Sequence, residues 1–538
     1  MEPIPNKVII VGGGLAGMSA AIQAYLSSTE VAVEIIDKEA RLGGNSSKAS
    51  SGINGVNTKT QKEVGVTNDS VELFVSDTLK SGKGLSKEEL VKKLVTDSTE
   101  AVTWLQNYFN LDLNVLAQLG GHSAKRTHRR PDLPDGRPQP VGWGITSTLS
   151  NWLAEESKKS NGRLVLHLGA KAKSLIANPS GRVVGVEVEE SQGGDQKKIV
   201  GGAVILATGG FCGEGLNSVL LKKYAPRHYG LPTTNGAFAT GDGIFLGQAV
   251  GAGLVDMEQV QVHPTGFVSM KDPTNNTKFL AAEALRGEGG ILLNKMGQRF
   301  INELATRDAV TDAIFKNCSD EKTRAVVEGV RKAEESGKKA YQAGAFLVLS
   351  ESAAARFGAG SLGFYAKMGL MNKAESFNAL ASAIGADERV LAGEFLRYDA
   401  AFHGITSEKY GKTVFPSPML KVSAENKNKL VELFSAHESS SSTEIEDEAI
   451  KLASGDKSTF YWGIITPSLH YTMGGLLFNS NTQVLKEDGS PISGLYAAGE
   501  VTGGLHGANR LGGNSLLECV VYGSEAGKQA AVFSKSKI

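Results

Sequence analysis

The chain is poor in cysteine, balanced in charge and without a long apolar run. Its three cysteines among 538 residues, Cys212, Cys318 and Cys519, are widely scattered. They exclude a disulfide framework, a C-x-x-C-H haem attachment and a cysteine-ligated iron–sulfur cluster. Lys plus Arg and Asp plus Glu both number 57, so no net field draws the chain toward nucleic acid. No apolar stretch approaches the roughly eighteen residues that span a bilayer, so no membrane partner is expected. The first apolar strand opens at Val8, which leaves no room for a signal peptide, and a cytoplasmic location is expected. The end, Ser536-Lys537-Ile538, differs in one residue from the peroxisomal S-K-L. A solvated tail is the favoured reading; a peroxisome or glycosome, or a mitochondrion, is the alternative.

Glycine is what the chain has in excess, with 65 residues often paired beside short apolar runs, as where backbone lies against a large cofactor. The densest information lies between Val8 and Lys38. The β-branched run Val8-Ile9-Ile10-Val11 leads into Gly12-Gly13-Gly14-Leu15-Ala16-Gly17, a small-residue helix and a second strand from Val31 to Ile36, closed by Asp37. Gly12, Gly14 and Gly17 fit G-x-G-x-x-G: one glycine for the turn, one for approach to a pyrophosphate, one for helix-on-strand packing. Asp37, twenty residues past Gly17, stands where an acid binds an adenosine ribose. A second match, Gly358 to Gly363, follows an apparent helix over 352–357 and precedes no acid-ended strand; it reads as a loop. The expected class is α/β, a Rossmann-like dinucleotide domain.

From Arg41 to Gly55 the chain offers glycines, hydroxyls and amides, suited to a diphosphate and ring. Residues 70–109 read as two packing helices. The basic run from Gly120 through Arg126 and His128 to Arg130, with prolines up to Gly144, is either a surface loop or a lid over an anion; the lid is favoured. Val165 to Val200 reads as a small antiparallel β region, and Ala203 to Leu206 as a strand returning to the first sheet before Ala207-Thr208-Gly209. Asp242 is an N-cap, a cofactor contact, or both. Between about Met257 and Tyr471 helices dominate, bordered by His263 and His470. The final stretch returns to the first sheet, with Gly499-Glu500 at a strand end and a helix opening near Ser515. The expected division is 1–257 and 472–538 for a two-part cofactor domain, with 258–471 as an inserted α+β cap.

Five blocks in order, Val262-His-Pro-Thr-Gly266, Glu283 to Gly290, Thr306-Arg307-Asp308, His470 to Gly475 and His506 to Ser515, resemble the fumarate reductase and succinate dehydrogenase flavoprotein family, nearest its single-chain fungal members. The resemblance implies FAD held by Gly12, Gly14, Leu15, Ala16, Gly17, Asp37 and Lys38; by Gly44, Asn45, Ser46, Ser50, Ser51 and Gly52; by Ala207, Thr208, Gly209 and Asp242; and by Gly499, Glu500, Ser515 and Leu516. It implies fumarate, reduced to succinate, clamped by His470, Arg510, His263 and Gly513. Arg307 would be the proton donor and Glu283 and Arg286 its relay. Those residue types suit a planar dianion, which needs cations and neutral donors at both ends.

Three departures from that family matter. Ala282 replaces a threonine of the bacterial members. No histidine lies between Asp37 and Gly55, so the FAD is expected to be non-covalently bound. With no haem or iron–sulfur ligands, no such subunit is required and electrons should come from a diffusible donor, reduced FMN or FAD, or NADH. The alternatives on this scaffold are a urocanate reductase-like enoate reductase, a ketosteroid dehydrogenase and an L-aspartate oxidase. A flavin-binding protein without turnover is the alternative of a different kind.

Overall fold

The computed structural model describes residues 6–134, 139–190, 196–319, 342–421, 424–435 and 442–536. Lys537 and Ile538 of the C-terminal tripeptide lie outside them. The strand Lys7–Val11 is the centre of a six-stranded sheet. Ala32–Asp37 and then Leu164–Leu168 lie parallel on one side of it; Ala203–Leu206 and then Pro491–Ala497 lie parallel on the other, with Gln483–Leu485 as an antiparallel edge. Alternation along these strands feeds two cores. Val8, Ile10, Val33, Ile35 and Ile205 face one; Ile9, Val11, Ile36, Val204 and Leu206 face the other.

The glycine turn behaves as its spacing predicts. Gly12 has φ +108°, and a Cβ there would sit 2.3 Å from the Ala207 carbonyl oxygen. At Gly17 a Cβ would lie 1.8 Å from the Gly12 oxygen, which is how the helix Leu15–Ser27 settles onto the strand. The small residues of that helix serve a second neighbour that the sequence did not announce. The last helix, Asn514–Ser534, runs along it, and Gly523 and Gly527 come so near that a Cβ would approach the Ala16 and Ala20 oxygens at 2.4 and 2.2 Å.

Several local expectations are revised. Residues 70–109 hold three helices, Val71–Ser81, Glu88–Thr96 and Ser98–Asn107. Leu164–Leu168 belongs to the parallel sheet, and the antiparallel region starts only at Ala170. Gly358 to Gly363 is not a loop: Ala359–Lys367 is helical. In the basic run expected to be a lid or a surface loop, Arg126 does neither job: it is fully buried, bonded to Asp69 Oδ1 at 2.7 Å and Asp77 Oδ2 at 2.5 Å, over the Phe74 ring. His128 is buried with Nε2 2.8 Å from the Thr58 hydroxyl. A buried guanidinium is tolerable only when so paired, which makes Arg126 a structural residue.

Residues between 258 and 471 are organised by a sheet rather than by their helices. Its order is Phe279–Leu280, Val260–Phe267, Phe460–Thr472, Ala345–Ser350, Ile291–Leu293, all antiparallel. Apolar side chains fill a core on each of its faces. The long strand Phe460–Thr472 and its partner Val260–Phe267 run back toward the parallel sheet, and they carry the two border histidines.

Candidate functional site

Two breaks in the pairing of those strands aim the histidines. Gln261 faces Tyr471 and Val262 faces Leu469, so His470 is the extra residue of a bulge and leaves the alternation. The second shift follows His263, where Pro264 has no N–H for the ladder. The two imidazoles meet with centroids 5.1 Å apart. Burial, and then the charge of Arg307, hold both well below the usual histidine range, so both are neutral at pH 7. The Thr265 N–H donates to His263 Nδ1 at 3.3 Å, which leaves the proton of that neutral ring on Nε2. The Thr234 hydroxyl lies 2.8 Å from His470 Nδ1 and fixes its ring.

Around this pair stand three arginines and one carboxylate. Arg307 opens the helix Arg307–Cys318 and donates from Nη2 and Nε to Glu283 Oε2 at 2.9 and 3.2 Å. Burial would raise the Glu283 carboxyl, but Arg307 and Arg286 outweigh it and hold it down to about 2. Glu283 and Arg286 share the short helix Glu283–Gly287, three residues apart and so on one face. Arg286 donates from Nη1 to the Glu303 carbonyl at 2.5 Å, while its Nε and Nη2 have no partner. Arg510 is buried, and burial lowers it to about 10; its Nε is also unpartnered. Buried N–H groups of a cation left without acceptors describe a place for an anion.

A cleft of about 510 Å³ connects this cluster to the glycine turn. Every residue expected to touch the cofactor lines it except Gly17, whose role is packing. A Cβ on Gly14 would meet nothing within 4 Å, nor would one on Gly209, so both turns present bare backbone to the cleft. Asp37 takes the Gly13 N–H at 2.6 Å, and burial raises its carboxyl. Asp242 is the first helical residue, not the cap, which is Gly241; it pairs with Lys38 at 2.6 Å and Lys171 at 3.2 Å. Glu500 accepts the Thr472 N–H at 2.9 Å, and burial pushes it up to about 7. Gly513, with φ +81°, precedes the last helix, and a Cβ there would strike Asn54 Oδ1 at 2.3 Å. His470, Arg307, Arg510 and Gly513 line the cleft; His263, Glu283 and Arg286 stand behind them. The donor set, bare turns beside an acid and a hydroxyl-rich wall, fits FAD.

The FAD binding domain family matches residues 7–516. Fumarate reductase 1 of Saccharomyces cerevisiae is 39% identical over 98% of this chain and 98% of its own length. The chain belongs to the fumarate reductase flavoprotein family. The fumarate reductase of Schizosaccharomyces pombe is 36% identical, covering 98% of this chain and 89% of its own. Among solved structures, the open conformation of a flavocytochrome c3 fumarate reductase is 29% identical with TM-score 0.71, over 98% of this chain and 78% of its own. The protein is thus an FAD-dependent oxidoreductase. No helix among the described residues is long and apolar enough to cross a membrane.

This family member also holds groups that sequence reasoning passed over. Gln261 is buried, and its Oε1 accepts from both Arg307 Nη1 at 3.1 Å and Arg510 Nη2 at 3.0 Å. Its Nε2 donates to Asn509 Oδ1 and to the Arg510 carbonyl at 2.9 and 3.0 Å. One neutral amide therefore orients two cations. The Tyr471 ring lies 4.5 Å from the Arg510 guanidinium, and its hydroxyl donates to Glu518 Oε2 at 2.5 Å. His506 Nε2 lies 2.9 Å from the same oxygen. The phase of a residue in a strand beside a candidate histidine, as with Gln261 two before His263, is the signal that could have found the first of these.

Proposed function

We propose that this chain reduces fumarate to succinate. FAD is held without a covalent link, and electrons come from a diffusible donor, a reduced flavin or NADH. The observation that carries the reading is the pair Arg307 and Arg510 joined through Gln261 beside two neutral histidines at the end of the FAD cleft. FAD supplies hydride chemistry when bound there. Arg510 and His470 bind one carboxylate, with the unpartnered Arg510 Nε as part of a guanidinium fork. His263 donates its Nε2–H to the other and draws charge toward it, which makes the double bond electrophilic.

Arg307 then gives a guanidinium proton to the carbon that develops carbanion character. A guanidinium is a poor acid, with an ordinary pKa of about 12 or above, but a carbanion-like centre is far more basic. Glu283, in contact with Arg307 Nε and Nη2, returns the proton, with Arg286 behind it. Residues 258–471 act as a cap that keeps water from the reacting atoms. An apolar steroid would leave these buried arginines without an acceptor, which disfavours a ketosteroid dehydrogenase.

The test is anaerobic. Flavin in the purified protein is reduced with dithionite, fumarate or urocanate is added, and flavin absorbance is followed. Rapid reoxidation by fumarate alone, lost in Arg307→Ala, is the expected result. Full FAD occupancy with no reoxidation by fumarate would overturn the reading.

A further inference from the structure

The turn that follows the helix Val71–Ser81 reaches the bearers of both cleft arginines without lining the cleft itself. On one side it is bonded to the segment that carries Arg510. The Ala508 N–H donates to the Gly82 carbonyl at 3.0 Å, the Lys87 N–H to the Gly504 carbonyl at 2.8 Å, and the Ser81 hydroxyl to the Asn509 carbonyl at 2.8 Å. The Asn509 amide donates back to Ser81 Oγ at 3.0 Å, and its Oδ1 is the acceptor for Gln261. On the other side Lys83 Nζ lies 2.5 Å from Asp308 Oδ2. Asp308 follows Arg307 in the first turn of the helix Arg307–Cys318. Burial would raise the Asp308 carboxyl, but the bond from Lys83 outweighs it and holds it below the usual carboxylate range.

The backbone singles out the lysine. Lys83 has φ +52°, a left-handed conformation that strains a residue with a Cβ, and it stands between Gly82 and Gly84 where a third glycine would fit at ease. An acid in the first turn suits the helix dipole unaided, so Asp308 does not account for a strained lysine opposite it. What the lysine reaches does. Gln261 and Glu283, which hold the Arg307 side chain, belong with it to residues 258–471, whereas Lys83 comes from the cofactor domain. We propose that Lys83 is a positioning residue: its ion pair with Asp308 fixes the start of the helix Arg307–Cys318 against the segment bearing Arg510, and so aims Arg307. The role given to Arg307 rests on the fumarate-reducing reading above. Gln261 joins the two arginines at their side chains, and Lys83 joins the elements that carry them. The side chains are 56% and 39% exposed, so the pair is weak and open to screening by salt.

The test uses FAD-loaded protein and the variants Lys83→Met, Lys83→Arg and Lys83→Gly, with fumarate reduction driven by dithionite. An exposed pair of this kind corresponds to an about two- to fivefold effect on kcat in Lys83→Met at about 10 mM salt. KM for fumarate should match wild type at the same salt, because the bonds that hold the Arg510 segment are untouched. At about 1 M salt, where charges are screened within about 3 Å, the two proteins should turn over alike. Lys83→Arg keeps the charge and should keep most of the wild-type rate. Lys83→Gly should be as slow as Lys83→Met, yet its melting temperature should hold or rise as the turn relaxes. Equal kcat in Lys83→Met and wild type at low salt overturns the proposal, as does a deficit that persists at high salt. So does a Lys83→Arg protein as slow as Lys83→Met, or a Lys83→Gly protein that loses rate and melting temperature together. Failure of wild-type protein to reduce fumarate would instead overturn the substrate reading. Amide hydrogen exchange over residues 307–318 then decides the pair: faster exchange in Lys83→Met at low salt supports it, and equal exchange overturns it.

Discussion

Replacing Gln261 by methionine separates hydrogen bonding from packing at the centre of the site. Methionine keeps the length and volume of glutamine and fills the same buried space. It removes the single oxygen that takes Arg307 Nη1 at 3.1 Å and Arg510 Nη2 at 3.0 Å, and the amide that holds Asn509 and the Arg510 carbonyl. Hydrogen bonds to charged groups contribute about 1.5–3 kcal/mol each. Arg307 keeps Glu283 as a second anchor, whereas Arg510 loses its only side-chain acceptor found among the described residues. Loss of one such bond's worth of aim predicts a roughly tenfold to hundredfold fall in kcat/KM for fumarate. Because Arg510 binds and Arg307 donates, KM should rise and kcat should fall together. Steady-state kinetics with a chemical reductant, alongside a thermal melt, makes the measurement. A kcat/KM within twofold of wild type would refute the reasoning, as would a loss matched by a collapse of the melting temperature.

Two further outcomes are expected. Glu518→Gln leaves one acceptor for the two donors now aimed at Oε2, so Tyr471 loosens under Arg510; KM for fumarate should rise severalfold with kcat nearly unchanged, and a changed kcat with constant KM would contradict this. Asp399 is fully buried, accepts the Met419 and Leu420 N–H groups, and is pushed up by burial to about 7 from an ordinary 3.8. A raised acid contributes stability below its unfolded value and loses it as pH rises through the folded one, here about 2 kcal/mol between pH 5.5 and 7. The melting temperature should therefore fall more steeply over that range in wild type than in Asp399→Asn; equal slopes would remove Asp399 from the account.

How much was legible depended on whether a residue announced its role through its own chemistry. The turn from Gly12 to Gly17 did so, because only glycine tolerates the contacts at Gly12 and Gly17. Arg307, His470 and Arg510 stood out only through the family resemblance of the blocks that carry them, and the structure brings all three to the cleft. Gln261 did not, since a neutral amide in an apolar strand has no pattern to betray it. Arg126 misled for the opposite reason. Its charge reads as that of a lid over an anion, or of a surface loop, until Asp69 and Asp77, 57 and 49 residues earlier, are seen to enclose it. An α+β cap was expected between 258 and 471, but the order of its sheet was hidden because Phe460–Thr472 is buried along nearly its whole length and shows no alternation.

The closeness of the last helix to the first carries a consequence for how the protein is made. The helix Leu15–Ser27 leaves the ribosome early, yet the surface that covers Ala16 and Ala20 is Gly523 and Gly527. Between Leu206, where one sheet neighbour of the first strand ends, and Pro491, where the next strand begins, lies most of the chain. At about 10 residues per second, that is roughly half a minute of synthesis. Throughout it the nascent chain carries an apolar helix face with no cover and a sheet edge with no partner. Cofactor capture must be among the last events in the life of the newborn polypeptide. Stalled or shortened chains should be substrates for chaperones and proteases rather than weak enzymes.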